Sequence, residues 1–286
     1  MAIANRYDFV MLFDVENGNP NGDPDAANAP RVDAETNYGL VTDVCLKRKI
    51  RNYVELTREG EAGYNILIKS DKSLNSQFTE AYEKNNLETG KKGKNVDDVK
   101  AAKDFMCKNY FDVRTFGAVM STGDNPCGIV RGPVQITFAH SISPVTVQEV
   151  TITRQARTTE ERAKTGETEM GRKSIIPYAL YRSEGFVSAA LNNKMANGMT
   201  EDDLNILWEA IINMFEHDRS AARGKMCMRK LFVFKHDNIL GEAPAQTLFD
   251  KIIINETANQ PPRSFKDYEI KVDRDMPAGV ELKEML

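Results

Sequence analysis

Cysteine and histidine are scarce. In 286 residues there are four cysteines, Cys45, Cys107, Cys127 and Cys227, and three histidines, His140, His217 and His236. No two cysteines form a C-x-x-C pair, which excludes zinc-finger spacing and a small disulfide scaffold. Unpaired thiols point to a reducing compartment, so the expected location is cytoplasmic. No run of about 18 apolar residues exists, so no membrane-spanning helix is expected. The opening "MAIANRYDFVML" carries an Arg and an Asp in its apolar run and reads as a first strand, not a signal peptide. Also missing are G-x-x-x-x-G-K-[ST], G-x-G-x-x-G after a strand, and G-x-S-x-G, which removes the common nucleotide-binding loops and the nucleophile elbow. The histidines have no triad setting, and each reads as a surface or strand-end residue.

What is present is ordinary in bulk and uneven in detail. The hydrophobic fraction of 41% and charged fraction of 28% suit a globular chain, read here as one domain over 1–286. The net charge of −4 gives no overall attraction to nucleic acid. Yet Arg219 to Lys235 holds six basic residues and no acidic one, and the chain from Asp237 onward holds ten acidic against six basic. Such segregation can leave a basic face on an acidic protein, and a polyanion responds to the local field.

Periodicity gives the elements. Residues 7–15 alternate with apolar side chains on both faces, as in a largely buried strand. A helix is expected over about Asn37 to Leu56, with Leu46, Ile50, Tyr53 and Val54 on one stripe. Lys47, Arg48 and Arg51 form a second stripe that reads as one-signed and tilts towards anion contact. "YNILIKS" (64–70) reads as a strand, Ser73–Leu87 as a helix, and Asn95 as the cap of another helix; together they look like a helical insertion. "VQITFAHSI" (134–142) and "KLFVFKH" (230–236) are strands. Thr200 caps a helix expected to run to Arg219, where Gly224 would stop it. Strand-like 145–154 and 174–182 flank a charged tip, which implies a protruding hairpin. One more strand, "FDKIIIN", is expected in the tail. The fold class is α+β, an antiparallel sheet with helices packed on one face.

Between the first strand and the basic helix stands "ENGNPNGDPD" (Glu16–Asp25), a loop by composition. Asn17, Asn19, Asn21 and Gly22 match a calcium-loop register, but position 12 is Asn28 where a bidentate Glu is needed, so no calcium site is expected. Asp14, Glu16, Asp23, Asp25 and Asp33 leave open a catalytic magnesium site, although aspartates beside prolines are also ordinary turn formers. The glycines and amides equally suit a phosphate or ribose partner. In "DVRTFG", Arg114 and Phe116 share a face if the segment is extended, a pairing for backbone charge and base stacking; Phe116 in the core with Arg114 on Asp112 is the other reading. The hairpin tip holds Arg154, Arg157, Arg162, Lys164, Arg172 and Lys173 around Met170. "DRSAARGKMCMRK" adds Arg223 and Lys225, where the helix dipole explains Arg219 and Arg223 better than the cations after Gly224.

"YDFVMLFDVENGNPNGDPD", "LKRKIRNYV", "DVRTFGAVMS" and "HDRSAARGKMCMRKLFVF" in this order resemble the guide-RNA-coating backbone subunit of CRISPR Cascade, in its type I-C (Dvulg) branch. The resemblance runs over essentially the whole chain. It implies an RRM-like (ferredoxin-like) palm, a helical fingers insertion (58–110) and a β-hairpin thumb (145–182). It also implies copies stacked in a filament along CRISPR RNA, in contact with other Cascade subunits and with target DNA paired to the guide. By that resemblance Lys47, Arg48 and Arg51 hold phosphates, and the Asn19–Asn21 loop lies along the RNA. Arg114 and Phe116 line the same groove, while Arg154, Met170, Arg172 and Lys173 belong to the thumb, with Arg223 and Lys225 as further RNA contacts. Neither cofactor nor metal is expected, and no catalysis. Related type III subunits cleave RNA with an aspartate after the first strand, which keeps a metal-dependent endoribonuclease as the rival; a scaffold that meets only proteins is the third reading.

Overall fold

The computed structural model describes residues 1–90, 95–154, 160, 169–257 and 260–286. The expected tip cations Arg157, Arg162 and Lys164 lie outside the described residues. In chain order the first elements are β1 (Tyr7–Gly18), the short strands β2 (Gly22–Asp23) and β3 (Ala29–Pro30), β4 (Tyr38–Val41) and α1 (Asp43–Thr57). Then come α2 (Leu74–Lys84), α3 (Val96–Asn109), α4 (Phe111–Phe116), β5 (Gly117–Met120), β6 (Gly128–Arg131), β7 (Val134–Ile136) and β8 (Ala139–Pro144). The remainder is β9 (Gln148–Arg154), β10 (Glu169–Val187), α5 (Ala189–Asn192), α6 (Glu201–Asn213), β11 (Lys225–His236), α7 (Ala245–Phe249), β12 (Ile252–Glu256), β13 (Tyr268–Val272) and β14 (Val280–Glu284).

A large antiparallel sheet in the order β14-β11-β1-β10-β8-β4 organises the chain, with β7 and β9 also paired to β10. Within it, β1, α1, β8, β10, α6 and β11 follow one another as a βαββαβ unit whose strands lie side by side as β11-β1-β10-β8. β1 is central, and every residue from Tyr7 to Val15 is buried. Phe9, Met11, Phe13 and Val15 meet Leu46, Ile50 and Val54 of α1 and Leu207 and Trp208 of α6; the Trp208 ring stands edge-on to Phe9 at 5.2 Å. Val10 and Leu12, with Phe232 and Phe234, are covered from the other side by Phe249, Ile252 and Tyr268 of the C-terminal segment. Each such side chain, wholly buried, contributes about 1.5–3 kcal/mol. A satellite core of Phe78, Tyr82, Met106 and Met120 packs α2 and α3 against β5. The sequence expected helices on one face; it did not anticipate that the tail would cover the second.

Several local expectations are corrected. Tyr38–Val41 is strand, not helix, because it pairs with β8, and Thr42 then caps α1 by accepting from the Cys45 N–H at 3.2 Å. Residues 64–70 form no strand: Asn65 makes a lone bridge to Tyr110, while the Leu67 and Ile68 N–H groups donate to the Asp112 carboxylate. Residues 111–116 are helical, so Arg114 and Phe116 do not share a face. "VQITFAHSI" is divided between β7 and β8. The helix from Thr200 ends at Asn213, and Gly224, at φ +61°, instead precedes β11. Among the described residues, the tail holds β12, β13 and β14 where one strand is expected. His236 is at a strand end but fully buried, its Nε2 at 2.9 Å from Asp8 Oδ2 and its Nδ1 accepting from the Glu242 N–H.

Candidate nucleic-acid interface

β1 carries the chain as far as Gly18, so the loop begins later than its composition implies. Gly18 and Gly224 let two backbones close together: a Cβ on Gly18 would lie 2.0 Å from the Arg223 carbonyl oxygen, and one on Gly224 would lie 2.4 Å from that of Asn17. The Asn19 N–H donates to the Ala222 carbonyl at 2.8 Å, and its buried side-chain amide donates to the Asn28 carbonyl at 2.7 Å. Asn21 Oδ1 accepts from both the Thr42 N–H and hydroxyl at 2.9 Å, tying the loop to the cap of α1. The loop is thus docked, with one side on residues 218–225 and the other on α1.

The carboxylates around this loop are for the most part engaged in holding structure. Asp14 accepts from Tyr178 Oη at 3.0 Å and Arg229 Nε at 2.8 Å; burial raises its pKa, and the Arg229 partner acts against that rise. Glu16 pairs with Lys225 at 3.2 Å, and Asp23 with Arg31 at 3.4 Å. Asp33 accepts from the Glu35 and Thr36 N–H groups, which lower its pKa; Asp25 is exposed. Among the described residues, no three His, Cys, Asp or Glu side chains converge as metal ligands.

The cations of α1 are less free than the sequence implies. Lys47 pairs with Asp43 one turn earlier at 2.9 Å, which corrects the expectation of a one-signed stripe. Arg51 is buried and donates to Asp112 at 2.8 Å. Both lie over the Phe116 ring, at 5.7 and 5.2 Å from its centre, so Phe116 is core and not a stacking platform. Arg48 reaches the Ile68 carbonyl at 2.6 Å; partial burial, then the Arg51 charge, lower its pKa. Arg114 lies apart, buried, its guanidinium forked onto Asp203 at 2.7 and 3.0 Å and stacked on Tyr64 and Phe111. Its partner is Asp203, not Asp112.

The base of the β9–β10 hairpin completes the surface. Lys173 Nζ donates to the Ala221 carbonyl at 3.0 Å, while Arg172 is exposed and Met170 is 74% exposed. A cavity of about 290 Å³ lies between Asn19, Asn28, Glu149, Arg172, Lys173 and Ala222. The structure therefore brings together Asn19, Asn21, Arg172, Lys173, Arg223 and Lys225. Lys47, Arg48 and Arg51 form a neighbouring group on α1, and Arg114 belongs to neither. Arg154 ends β9, and its side chain is not among those described.

Two residues that hold this surface were missed. Lys49, 2% exposed, forms an ion pair with Asp218, which is also paired with Arg223, Nε to carboxylate, at 3.0 Å. Asp218 thereby clamps α1 to the 218–225 segment. The signal was present: Lys49 falls three residues after Leu46 and four before Tyr53, on the apolar stripe, where an ammonium requires a carboxylate.

The family model for CRISPR-associated protein Cas7 matches residues 5–273. A curated relative, a CRISPR-associated protein Cas7 of Haloferax volcanii, is 29% identical over 121 residues, which are 42% of this chain; the match spans about a third (34%) of that relative's length. Among solved structures, a chain of a "CRISPR RNA-guided surveillance complex, pre-nicking" superposes with a TM-score of 0.52 at 13% identity, covering 80% of this chain and 78% of that one. That likeness is one of fold, a mixed α/β structure around a large antiparallel sheet. Since the family match takes in nearly all of the sequence, the chain belongs to the CRISPR-associated protein Cas7 family.

Proposed function

We propose that this chain is a non-catalytic backbone subunit that coats CRISPR RNA, gripping its phosphates without reading sequence and leaving bases free to pair with target DNA. The observation that carries the reading is the convergence of four segments on one surface: the Asn19–Asn28 loop, the cap of α1, residues 218–225 and the base of the β9–β10 hairpin. Arg172, Lys173, Arg223 and Lys225 edge it, and Asn21 and Asp218 hold it in place. The βαββαβ order supports an RRM-like palm, with fingers over 58–110 and a thumb over 145–182, in the manner of the type I-C branch. Copies stack along the RNA and meet other subunits of the complex. Base stacking on the open sheet, as an RRM does it, is not the mode here, because the C-terminal segment covers that face.

The endoribonuclease reading loses ground because the loop carboxylates Asp14, Glu16, Asp23 and Asp33 are already bonded to Arg, Lys, Tyr or backbone groups. Complementary RNA incubated with magnesium should stay intact, with wild type and Asp33→Ala indistinguishable.

The test of the surface is Arg172→Glu combined with Lys225→Glu. Single-stranded RNA affinity, read by fluorescence anisotropy, should fall at least about tenfold. The slope of log K against log salt should shrink by roughly 0.7 for each phosphate that is no longer neutralised. Affinity and slope equal to wild type would remove this surface from the RNA path.

A further inference from the structure

A second charged surface lies on the insertion. Between α3, β6 and residues 191–196 runs a cleft of about 610 Å³. Lys100, Lys103, Arg131 and Lys194 line it, against Asp104 as the one carboxylate of its wall. Among the described residues, none of these four cationic side chains has an ion pair or hydrogen bond, unlike Lys47, Lys49 and Arg51 on α1. The wall between them is aliphatic: Val130, Leu191, Met195 and Ile129, the last 63% exposed. No aromatic ring lines it.

The geometry of β6 adds a backbone feature. Ile129, Val130 and Arg131 are consecutive, and consecutive side chains of a strand point to opposite faces. All three line the cleft, so it is the edge of β6 that borders it. Among the described strands β6 pairs with β5 alone, which leaves the N–H and C=O groups of its other edge available to an added strand.

We propose that this cleft docks an acidic, aliphatic-bearing segment of a partner protein, extended along the free edge of β6 with its carboxylates on Lys100, Lys103, Arg131 and Lys194. Uncompensated cations around an aliphatic wall are complementary to such a segment. A nucleic-acid strand would satisfy the cations, but it has no aliphatic groups for the wall and finds no ring on which to stack its bases. The proposal is independent of the guide-RNA reading, since the two surfaces share no residue.

The test uses the full chain and a fluorescein-labelled nonapeptide of three Glu-Leu-Asp units, followed by anisotropy at low salt. Saturable binding is expected. Lys103→Glu with Arg131→Glu should weaken it at least about tenfold while leaving single-stranded RNA affinity unchanged. If circular dichroism shows that this double variant does not fold, Lys194→Glu, on an exposed segment, should weaken the peptide about threefold. Absence of saturable binding, or equal affinity in the folded variants, overturns the proposal. So does an oligothymidine that displaces the peptide and loses more affinity in the same variants, which would make the cleft a nucleic-acid site.

Discussion

At the scale of single residues, the chain separates cations that hold the fold from cations that can leave it. Arg114, in a fork with Asp203 and lying over the Tyr64 and Phe111 rings, belongs to the first kind. Arg114→Ala strands a buried carboxylate and should cost about 3–5 kcal/mol in urea unfolding. Arg172→Ala, at an exposed position, should stay within about 0.5 kcal/mol of wild type. The sequence carried both arginines without distinguishing them, because burial of Arg114 depends on Asp203, 89 positions away. Asp14 gives a pH signature. Burial raises its folded-state pKa above the ordinary 3.8, so the native chain holds the proton more tightly than the unfolded one. Its contribution to stability is then complete below that value and declines as pH rises through the folded pKa. Asp14→Asn, which imitates the protonated form, should therefore compare better with wild type at pH ~7 than at pH ~4. Urea midpoints of both proteins at the two pH values check this, and the opposite trend would refute the assignment.

At the scale of elements, legibility followed the length of the local signal. β1 and the helices from Thr200, Ser73 and Asn95 were plain, since each has a long periodic run or a capping side chain. The six residues of α4 complete fewer than two turns, too short a run to show a helical period in sequence. What makes them helical is tertiary, Asp112 holding the Leu67 and Ile68 N–H groups and Arg51. The loop after β1 was readable as a loop, but its docking was not, because that depends on Gly224 of a distant segment. Gly224 sits at φ +61° against the Asn17 carbonyl, so Gly224→Ala meets both a disfavoured backbone and a close approach. It should destabilise by ~1–3 kcal/mol and weaken RNA binding by loosening the loop. Thermal unfolding and RNA titration together test it: an unchanged midpoint would show that the loop does not depend on this close approach.

At the scale of the whole molecule, a sheet buried on both faces leaves loops, helix ends and the hairpin as the parts able to meet a polyanion. The net charge of −4 then has a plain consequence. On the proposed reading, attraction to RNA would be local to the surface around Arg172, Arg223 and Lys225, so single copies would bind weakly and assembly along a strand would supply the rest. The central claim is coating of RNA by many copies. The most direct measurement is to purify the protein alone at low salt, record the ratio of absorbance at 260 and 280 nm, and size both the particle and any RNA extracted from it. The account predicts large particles that hold protected RNA of diverse sequence and release it at high salt. A monomer free of nucleic acid, unchanged after incubation with guide RNA, would contradict it.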